Sequence, residues 1–295
     1  MTHVLALDVG GTKLAAAVVD DRGTILGRAT RPTAGADGDA LFGEVDAVLT
    51  DALRAATAAA GAAVAPDVIG VGCGGPMSAG GATVSPLNIP QWRRFALRAA
   101  LAEWGRLPVF VDNDAKALAL GEGRWGAAAG ERDFLAMVVS TGVGGGIVLD
   151  GRLLDGADGN AGHIGHVVVD PLGRPCVCGS RGCLEAEVSG PSIAAATGAP
   201  ASAASEEVRV RAGRLVGRAV ASVANLLDLR LAVVAGSVAL GFGAPFFAAA
   251  QIEADRSARL DFSRGLRIVP SRFGGHEGPL LGAAAVGLAG LATVG

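Results

Sequence analysis

The chain has 295 residues, of which 51% are hydrophobic and 18% are charged, with a formal net charge of −3. A chain of this length can bury a large core, either in one domain or in two lobes, and we favour two lobes. The near-neutral charge and the lack of a basic run in the sequence argue against a nucleic-acid-binding surface.

The N-terminus runs directly into an apolar segment, without the basic start and long apolar stretch of a signal peptide. Two uncharged stretches, residues 231–252 and 278–295, approach the length of a membrane span. The first is interrupted by glycines and a proline, and the second is mostly Ala and Gly. We therefore expect a cytoplasmic protein with no membrane segment.

The first half of the chain begins as a β-meander and continues as alternating helices and strands. This alternation is typical of an α/β layer structure. The predicted elements are strands at residues 3–8, 13–20, 24–28, 68–73 and 109–111, and helices at 39–60, 93–104 and from 114 onward.

The pattern restarts near Arg132 with a strand, a Gly-rich turn and a returning strand, so we expect two similar lobes. We expect the first lobe at residues 1–113 and the second at 114–279, with a helix at 280–295 packing back on the first. The predicted elements are strands at 134–140, 147–150 and 232–235, the turn at 141–146, and helices at about 205–228, 245–258 and 280–291.

Four soft metal ligands, His166, Cys176, Cys178 and Cys183, lie within eighteen residues. Thiolates and imidazole suit tetrahedral zinc, and four protein ligands are typical of a structural rather than a catalytic site. A disulfide and unliganded thiols are the alternatives. Both are less favoured because the fourth cysteine, Cys73, lies about a hundred residues away.

Glycines follow the first predicted strand, directly after Asp8. Gly10 and Gly11 allow backbone amides to approach an anion, and Thr12 and Lys13 add a hydroxyl and a positive charge. No helix follows and the P-loop lysine spacing is missing, so this is neither common nucleotide fingerprint. The turn is a candidate phosphate cradle, with an ordinary hairpin turn as the alternative.

A second Gly-rich turn begins at Ser140, where hydroxyls again lead into glycines, including Thr141 and Gly142. Four glycines in five residues would cost chain entropy in a purely structural hairpin, so we interpret this turn as a second phosphate cradle. Gly236 follows a later strand, and a small-residue turn there would let an adenine base lie flat. Taken alone, this motif favours a plain strand-to-helix turn over a nucleotide contact.

Asp112, Asn113 and Asp114 end a short strand and open a helix. Functional residues collect at strand ends in α/β sheets, so Asp114 is a candidate functional carboxylate. Capping of the helix N-terminus explains the same residue types without a ligand, and both interpretations stay open.

Taken in order, these motifs resemble the ROK family of bacterial sugar kinases and repressors over essentially the whole chain. They are Asp8-x-Gly-Gly-Thr-Lys, Asn113-Asp114, Ser140-Thr-Gly-x-Gly-Gly-Gly, Gly165-His166 and Cys-x-Cys-Gly-x-x-Gly-Cys-x-Glu. The resemblance implies an α/β, actin/hexokinase-like (ribonuclease H-like) fold with two lobes and an active-site cleft between them. It also implies a homodimer or homotetramer.

The resemblance also implies roles for these residues. Asp114 would be the general base for the sugar 6-hydroxyl, Asp8 would act near Mg2+, and the two turns and Gly236 would hold ATP. A structural Zn2+ would fix the loop that presents His166 and Glu185 to the sugar. The substrate-binding set implied in this way is Asn88, Asn113, Asp114, His163, His166 and Glu185.

One departure from the family pattern affects the substrate. His163 stands where family glucokinases carry Glu, a substitution that resembles N-acetylmannosamine kinases, while Asn88-Ile-Pro-Gln-Trp resembles the glucokinase loop. We favour a glucose-type hexose, with N-acetylmannosamine kinase or an inactive sugar sensor as alternatives. A family repressor would carry a DNA-binding module before Asp8, so we expect no nucleic-acid partner.

Overall fold

The computed structural model of the protein describes residues 1–274 and 277–294. Contacts divide these residues into two compact units. The first comprises Met1–Trp125, Asp155–Gly159 and the C-terminal helix, and the second comprises Gly126–Leu154 and the stretch from Asn160 toward that helix.

The first unit is a five-stranded sheet of order β3-β2-β1-β4-β5 with helices packed against it. β1, β2 and β3 form an antiparallel meander, whereas β4 and β5 run parallel to β1. The elements are β1 (His3–Val9), β2 (Lys13–Asp20), β3 (Ile25–Pro32), α1 (Gly38–Ala60), β4 (Val68–Cys73), α2 (Leu97–Gly105), β5 (Val109–Asn113), α3 (Asp114–Trp125) and α9 (Gly278–Val294).

Alternate residues of this sheet serve two different contacts, as the period of two in a strand requires. Leu5 and Leu7 lie in a core cluster with α1. On β4, Gly70 faces α9, and a Cβ there would overlap the carbonyl oxygen of Ala283. The small residues of β4 therefore allow α9 to lie directly on the strand.

The structure divides the chain after Trp125, whereas the sequence analysis placed the lobe boundary after Asn113. The physical reason is a close backbone contact between α3 and α9. A Cβ on Gly121 would lie 3.1 Å from the Cα of Gly282, and one on Gly282 would lie 2.9 Å from the carbonyl of Ala117. α3 therefore packs with the first unit.

The second unit contains a sheet of order β10-β9-β6-β7-β8. β7 is antiparallel to β6 and β8, and β9 is parallel to β6 and β10. The elements are β6 (Phe134–Val139), β7 (Val143–Leu149), β8 (Arg152–Leu153), α4 (Leu184–Val188), α5 (Gly190–Thr197), α6 (Glu206–Leu227), β9 (Leu231–Ala235), α7 (Ser237–Phe242), α8 (Ala244–Ser257) and β10 (Arg267–Pro270).

Counted from its other edge, the second sheet has the order β8-β7-β6-β9-β10, which matches β3-β2-β1-β4-β5 of the first sheet strand for strand. The strand directions match as well, as the restart of the sequence pattern predicted. Several boundaries differ from the predicted ones. β7 begins at Val143, because its glycines pair with β6 instead of forming a turn. α2 begins at Leu97, and β8, β10, α4, α5 and α7 were not predicted from the sequence. Among the described residues, no helix is long and apolar enough to cross a membrane.

Helices α6 and α8 approach each other through glycines four residues apart. A Cβ on Gly213 would overlap the carbonyl oxygen of Phe246, and one on Gly217 would overlap that of Ala250. Phe246 and Ala250 are fully buried, so neither helix can move away without opening the core.

We predict that Gly217→Ala destabilises the protein by about 1–3 kcal/mol, because an added methyl group overpacks a backbone contact. Gly241→Ala is the matched control, since Gly241 lies in α7 with open space around its Cα. This control should be neutral or slightly stabilising through its higher helix propensity. Thermal denaturation measures both effects, and equal melting temperatures for the two variants would contradict the packing argument.

Candidate active site in two half-sites

The first half-site lies at the carboxyl edge of the first sheet. Strand register sets Asp8 of β1 opposite Gly72 of β4, and Gly72 opposite Asp112 of β5. Asn113 ends β5 and Asp114 opens α3. Because these parallel neighbours end at one edge, the predicted residues Asp8, Asn113 and Asp114 come together there.

Asp8 and Asp114 are close enough to interact electrostatically. A Cβ on Gly72 would lie 3.9 Å from Oδ1 of Asp8 and 3.8 Å from the Cα of Asp114. Burial, together with the Asp114 carboxylate, raises the pKa of Asp8 to about 7, and Lys13 opposes the shift. Two carboxylates in this arrangement favour a bound cation or a shared proton.

The capping interpretation has direct support for Asn113, which precedes α3, whereas Asp114 is the first residue of the helix and binds only the next amide. Oδ1 of Asp114 accepts a hydrogen bond from the amide of Ala115 at 2.8 Å, and Oδ1 of Asn113 accepts from the same amide at 3.0 Å. Asp114 is nevertheless exposed and acts on Asp8, so capping describes only part of its surroundings.

The first glycine turn packs against the loop that carries Asn88. The amide of Gly10 donates to the carbonyl of Lys13 at 3.1 Å, closing the turn, and Thr33 Oγ1 donates to Gly10 O at 2.6 Å. A Cβ on Gly11 would lie 2.6 Å from the Cβ of Asn88. Glycine at position 11 therefore permits Asn88 to approach the turn.

Arg93, which the sequence analysis did not single out, holds this loop. Its Nη1 donates to the carbonyls of Pro86, Ile89 and Trp92 at 3.1, 2.8 and 2.7 Å. The helix predicted from residue 93 begins only at Leu97. The bonds of Arg93 fix the backbone on both sides of Asn88.

Lys116 is a second residue that the sequence analysis missed. It is only 3% exposed, and its Nζ lies 3.2 Å from Asp112 Oδ1 and 2.6 Å from Asp155 Oδ1. It also donates to the carbonyl of Gly159 at 3.3 Å. Lys116 thus ties the segment 155–159 to the helix that begins with Asp114.

The second half-site begins with a turn shorter than the predicted one, at Ser140–Gly142. The amide of Ser140 donates to the carbonyl of Gly142 at 2.9 Å, and the hydroxyls of Ser140 and Ser237 are 2.9 Å apart. Thr141 is exposed at the tip. Thr141 and Gly142 lie directly after β6, and their contact with an anion stays a prediction.

The later glycines of this motif have a structural reason that the sequence analysis did not anticipate. A Cβ on Gly165 would overlap the carbonyl oxygen of Val143, and one on Gly162 would overlap that of Gly145. The segment 162–165 therefore lies backbone to backbone on β7. The glycines bring His163 and His166 to the strand that follows the turn.

Gly236 has a similar explanation. Its φ is +99°, and a Cβ would overlap the carbonyl oxygen of Val139 on β6. The plain strand-to-helix turn accounts for this glycine without a ligand, so its nucleotide contact stays a prediction.

Glu185 lies on α4 and reaches back to the turn. Its Oε2 accepts a hydrogen bond from the amide of Val143 at 2.8 Å. The ring centroids of His163 and His166 are 6.2 Å apart, and both rings are exposed. The three predicted sugar contacts of this unit therefore surround the start of β7.

Glu187, also missed by the sequence analysis, anchors the same helix. It is 1% exposed, and it accepts bonds of 2.6 Å from the amide of Arg174 and from Nη2 of Arg211. These bonds hold the pKa of Glu187 below its ordinary value although burial raises it. Position 187 carries no local signal in the sequence, because both partners lie far along the chain.

The predicted metal cluster is assembled. One ligand atom from each of His166, Cys176, Cys178 and Cys183 lies within 4.8 Å of the others. Sγ of Cys178 and Cys183 are 3.7 Å apart, as are Sγ of Cys176 and Nδ1 of His166. Ligands at about 2.3 Å from a tetrahedral centre are separated by about 3.8 Å, so the residues fit zinc.

The alternatives to a metal site fit less well. All four cysteines are free thiols, and 3.7 Å between Cys178 and Cys183 exceeds the disulfide bond of about 2.05 Å. Burial and the neighbouring thiols raise the pKa of Cys183 to about 11. A cation would stabilise the thiolate that this environment disfavours. Cys73 is buried in the other unit.

The two sheets, each a meander followed by parallel strands, have the actin/hexokinase-like fold. The profile of the ROK family matches residues 4–289. The chain belongs to the ROK family.

Relatives with known names agree with this assignment. An N-acetylmannosamine kinase from Citrobacter koseri is 40% identical over 254 residues, covering 81% of this chain and 84% of the relative. A ROK hexokinase from Thermus thermophilus superposes with a TM-score of 0.84 at 34% identity, covering 99% of this chain and 100% of that one. A ROK glucokinase from Streptomyces griseus, solved with glucose and AMPPNP, gives 0.80 at 28% identity, covering 97% and 99%.

We predict that Asp8→Asn raises the melting temperature at pH 8 by a few degrees and by much less at pH 4.5. Because the pKa of Asp8 is raised to about 7, the native state holds a proton that the unfolded chain releases near pH 4. Stability is therefore lost as pH rises through this window, and asparagine removes that loss. Asp261→Asn, at an exposed carboxylate, is the control. An equal effect of Asp8→Asn at both pH values would contradict the assignment.

Proposed function

We propose that the protein is an ATP-dependent sugar kinase that phosphorylates the 6-hydroxyl of a hexose or 2-acetamidohexose. The observation that carries this proposal is the pairing of Asp8 with Asp114 at the carboxyl edge of the sheet, beside the glycine turn and Asn88. Membership in the ROK family and the likeness to kinases support it.

In the proposed reaction, Asp114 accepts the proton of the sugar 6-hydroxyl as its oxygen attacks the terminal phosphorus of ATP. The residues proposed to orient the sugar are Asn88, Asn113, His163, His166 and Glu185. Positioning and charge stabilisation contribute most of the rate in phosphoryl transfer. The turns at Gly10 and Thr141 offer amides to the phosphates.

Mg2+ would be held near Asp8, where it would neutralise charge on the phosphates. The pair of carboxylates suits a hard cation, because burial and then the nearby Asp114 carboxylate disfavour the charged form of Asp8, raising its pKa, and a cation would stabilise that form. Asp8 would then lose its proton when the cation binds.

We propose N-acetylmannosamine as the first substrate. The 40% identical relative bears that name, and His163 replaces the Glu of family glucokinases. A glucose-type hexose, which the loop at Asn88 favours, is the second candidate, and the 34% identical ROK hexokinase supports it.

An ADP-release assay with N-acetylmannosamine, N-acetylglucosamine, glucose and mannose tests the proposal, with polyphosphate as a second donor assayed by sugar-phosphate formation. We expect turnover with N-acetylmannosamine and ATP. Preference for glucose would select the second candidate. Sugar binding without turnover on any member would leave the inactive sensor, and the kinase proposal would fail.

We predict that Asp114→Asn lowers kcat at least about 100-fold while sugar affinity changes little, because only proton transfer loses its acceptor. Asn keeps the shape and the capping oxygen, so folding should persist. Sugar affinity by calorimetry and kcat by ADP release measure the two effects. A near-normal kcat would remove Asp114 from the mechanism.

We also propose that the cluster of His166 and three cysteines holds a structural Zn2+. All four ligands come from the protein, and Cys183 leads directly into the helix that carries Glu185. The ion would stabilise the loop and leave the chemistry to other residues. His166 would bind it through Nδ1, the nitrogen that faces Cys176.

We predict that Cys178→Ser lowers zinc content below about one ion per chain, lowers the melting temperature and raises the sugar KM more than it changes kcat. Elemental analysis, melting curves and steady-state kinetics measure these effects. Cys73→Ser is the control, which should keep the metal. Full activity in wild-type protein shown to lack zinc would overturn the proposal of a structural zinc site.

The family resemblance further supports a cytoplasmic location and assembly as a homodimer or homotetramer. Light scattering of the purified protein would test the oligomeric state.

A further inference from the structure

The glycine turn at Ser140–Gly142 is bonded at two points to the segment that carries Glu185. Oε2 of Glu185 accepts from the amide of Val143 at 2.8 Å, directly after the turn. The amide of Gly190, beyond the end of α4, donates to the carbonyl of Ser140 at 2.8 Å. A Cβ on Gly142 would lie 3.1 Å from Oε2, so the carboxylate fills the space beside the turn.

Helix α4 is itself held firmly. Cys183 precedes it in the metal cluster, and Leu184 at its start is fully buried. Glu187, one helical turn after Leu184, accepts hydrogen bonds from the amide of Arg174 and from the side chain of Arg211. The backbone that carries Glu185 is therefore anchored, and the orientation of its carboxylate is set by what the two oxygens bind.

A carboxylate accepts several hydrogen bonds, so one that binds Val143 through Oε2 can bind a sugar hydroxyl through Oε1. Because Oε1 and Oε2 belong to one planar carboxylate group, the orientation of that group affects both hydrogen bonds. A sugar that orients this plane also strengthens the contact to Val143 and orders the turn before nucleotide arrives. The entropy cost of ordering the turn then falls on the binding of the first ligand and is not incurred again by the second, which produces positive cooperativity.

We propose that Glu185 couples the sugar site to the nucleotide site: its carboxylate binds a sugar hydroxyl and the Val143 amide together, so that bound sugar tightens the phosphate turn for ATP. This inference rests on the proposed function, because it requires that sugar contacts Glu185 and that phosphate contacts the turn. It assigns Glu185 a role beyond sugar recognition.

The test measures binding of AMP-PNP with Mg2+ by calorimetry, with and without saturating N-acetylmannosamine or another panel sugar that binds. In the wild type we expect sugar to increase nucleotide affinity about 5- to 10-fold, and nucleotide to increase sugar affinity by the same factor, as linkage requires. In E185D the charge stays but the reach shortens by one methylene group. The ratio should fall to about 1–2.

His163→Gln is the matched control, because His163 belongs to the same proposed sugar site but its ring makes no bond to the turn among the described residues. It should weaken sugar binding while keeping the wild-type ratio. An unchanged ratio in E185D, or an equal loss in H163Q, would overturn the coupling role.

Amide exchange on the wild type provides a measurement that needs no variant. We expect sugar alone to slow exchange in residues 139–147, and an unchanged rate would contradict the inference even if E185D folds poorly. If no sugar binds the wild type, the kinase proposal fails and the coupling fails with it. Sugar binding and turnover without coupling overturn only the role of Glu185.

Discussion

Asp8 and Asp114 lie near Gly72 at the carboxyl edge of the parallel strands of the first sheet, and the first half-site depends on that arrangement. Strand register places Asp8 beside Gly72, and β5 delivers Asp114 to the same edge. Burial, together with the charge of the neighbouring Asp114 carboxylate, raises the pKa of Asp8 to about 7. The arrangement lowers the stability of the free protein at neutral pH. Binding of a cation and phosphates would relieve that cost, which is typical of functional sites.

The second half-site depends on a contact between backbones. The segment 162–165 lies on β7 so closely that no side chain fits between them, and Glu185 is bonded to the first amide of the same strand. The metal cluster and Glu187 hold α4 from the other side. Within the second unit, the residues proposed to bind the sugar and the turn proposed to hold phosphate thus pack against the same strand.

Family membership establishes the fold, whereas specificity for a particular sugar depends on a few side chains. Relatives named for N-acetylmannosamine and for hexoses match this chain at 40% and 34% identity. The backbone around position 163 is held by glycines in contact with β7, so exchanging Glu for His there changes the chemistry of the contact with little change in its position. A neutral imidazole offers one donor and one acceptor, whereas a carboxylate offers acceptors alone.

The sequence by itself determined the features that are encoded locally: most strands and helices, the two similar halves, the glycine turns, and the four metal ligands within eighteen residues. Tertiary structure alone decided the true start of β7, the position of α3 in the first unit, and the roles of Lys116 and Glu187. Besides Asp112, four residues before it, Lys116 is bonded to Asp155, 39 residues away, and Glu187 is bonded to Arg211, 24 residues away, where no periodicity or motif connects the partners. Such contacts exist only once the sheets have brought distant segments together, because burial of a charged side chain requires an ion-pair or hydrogen-bond partner that short-range patterns do not reveal.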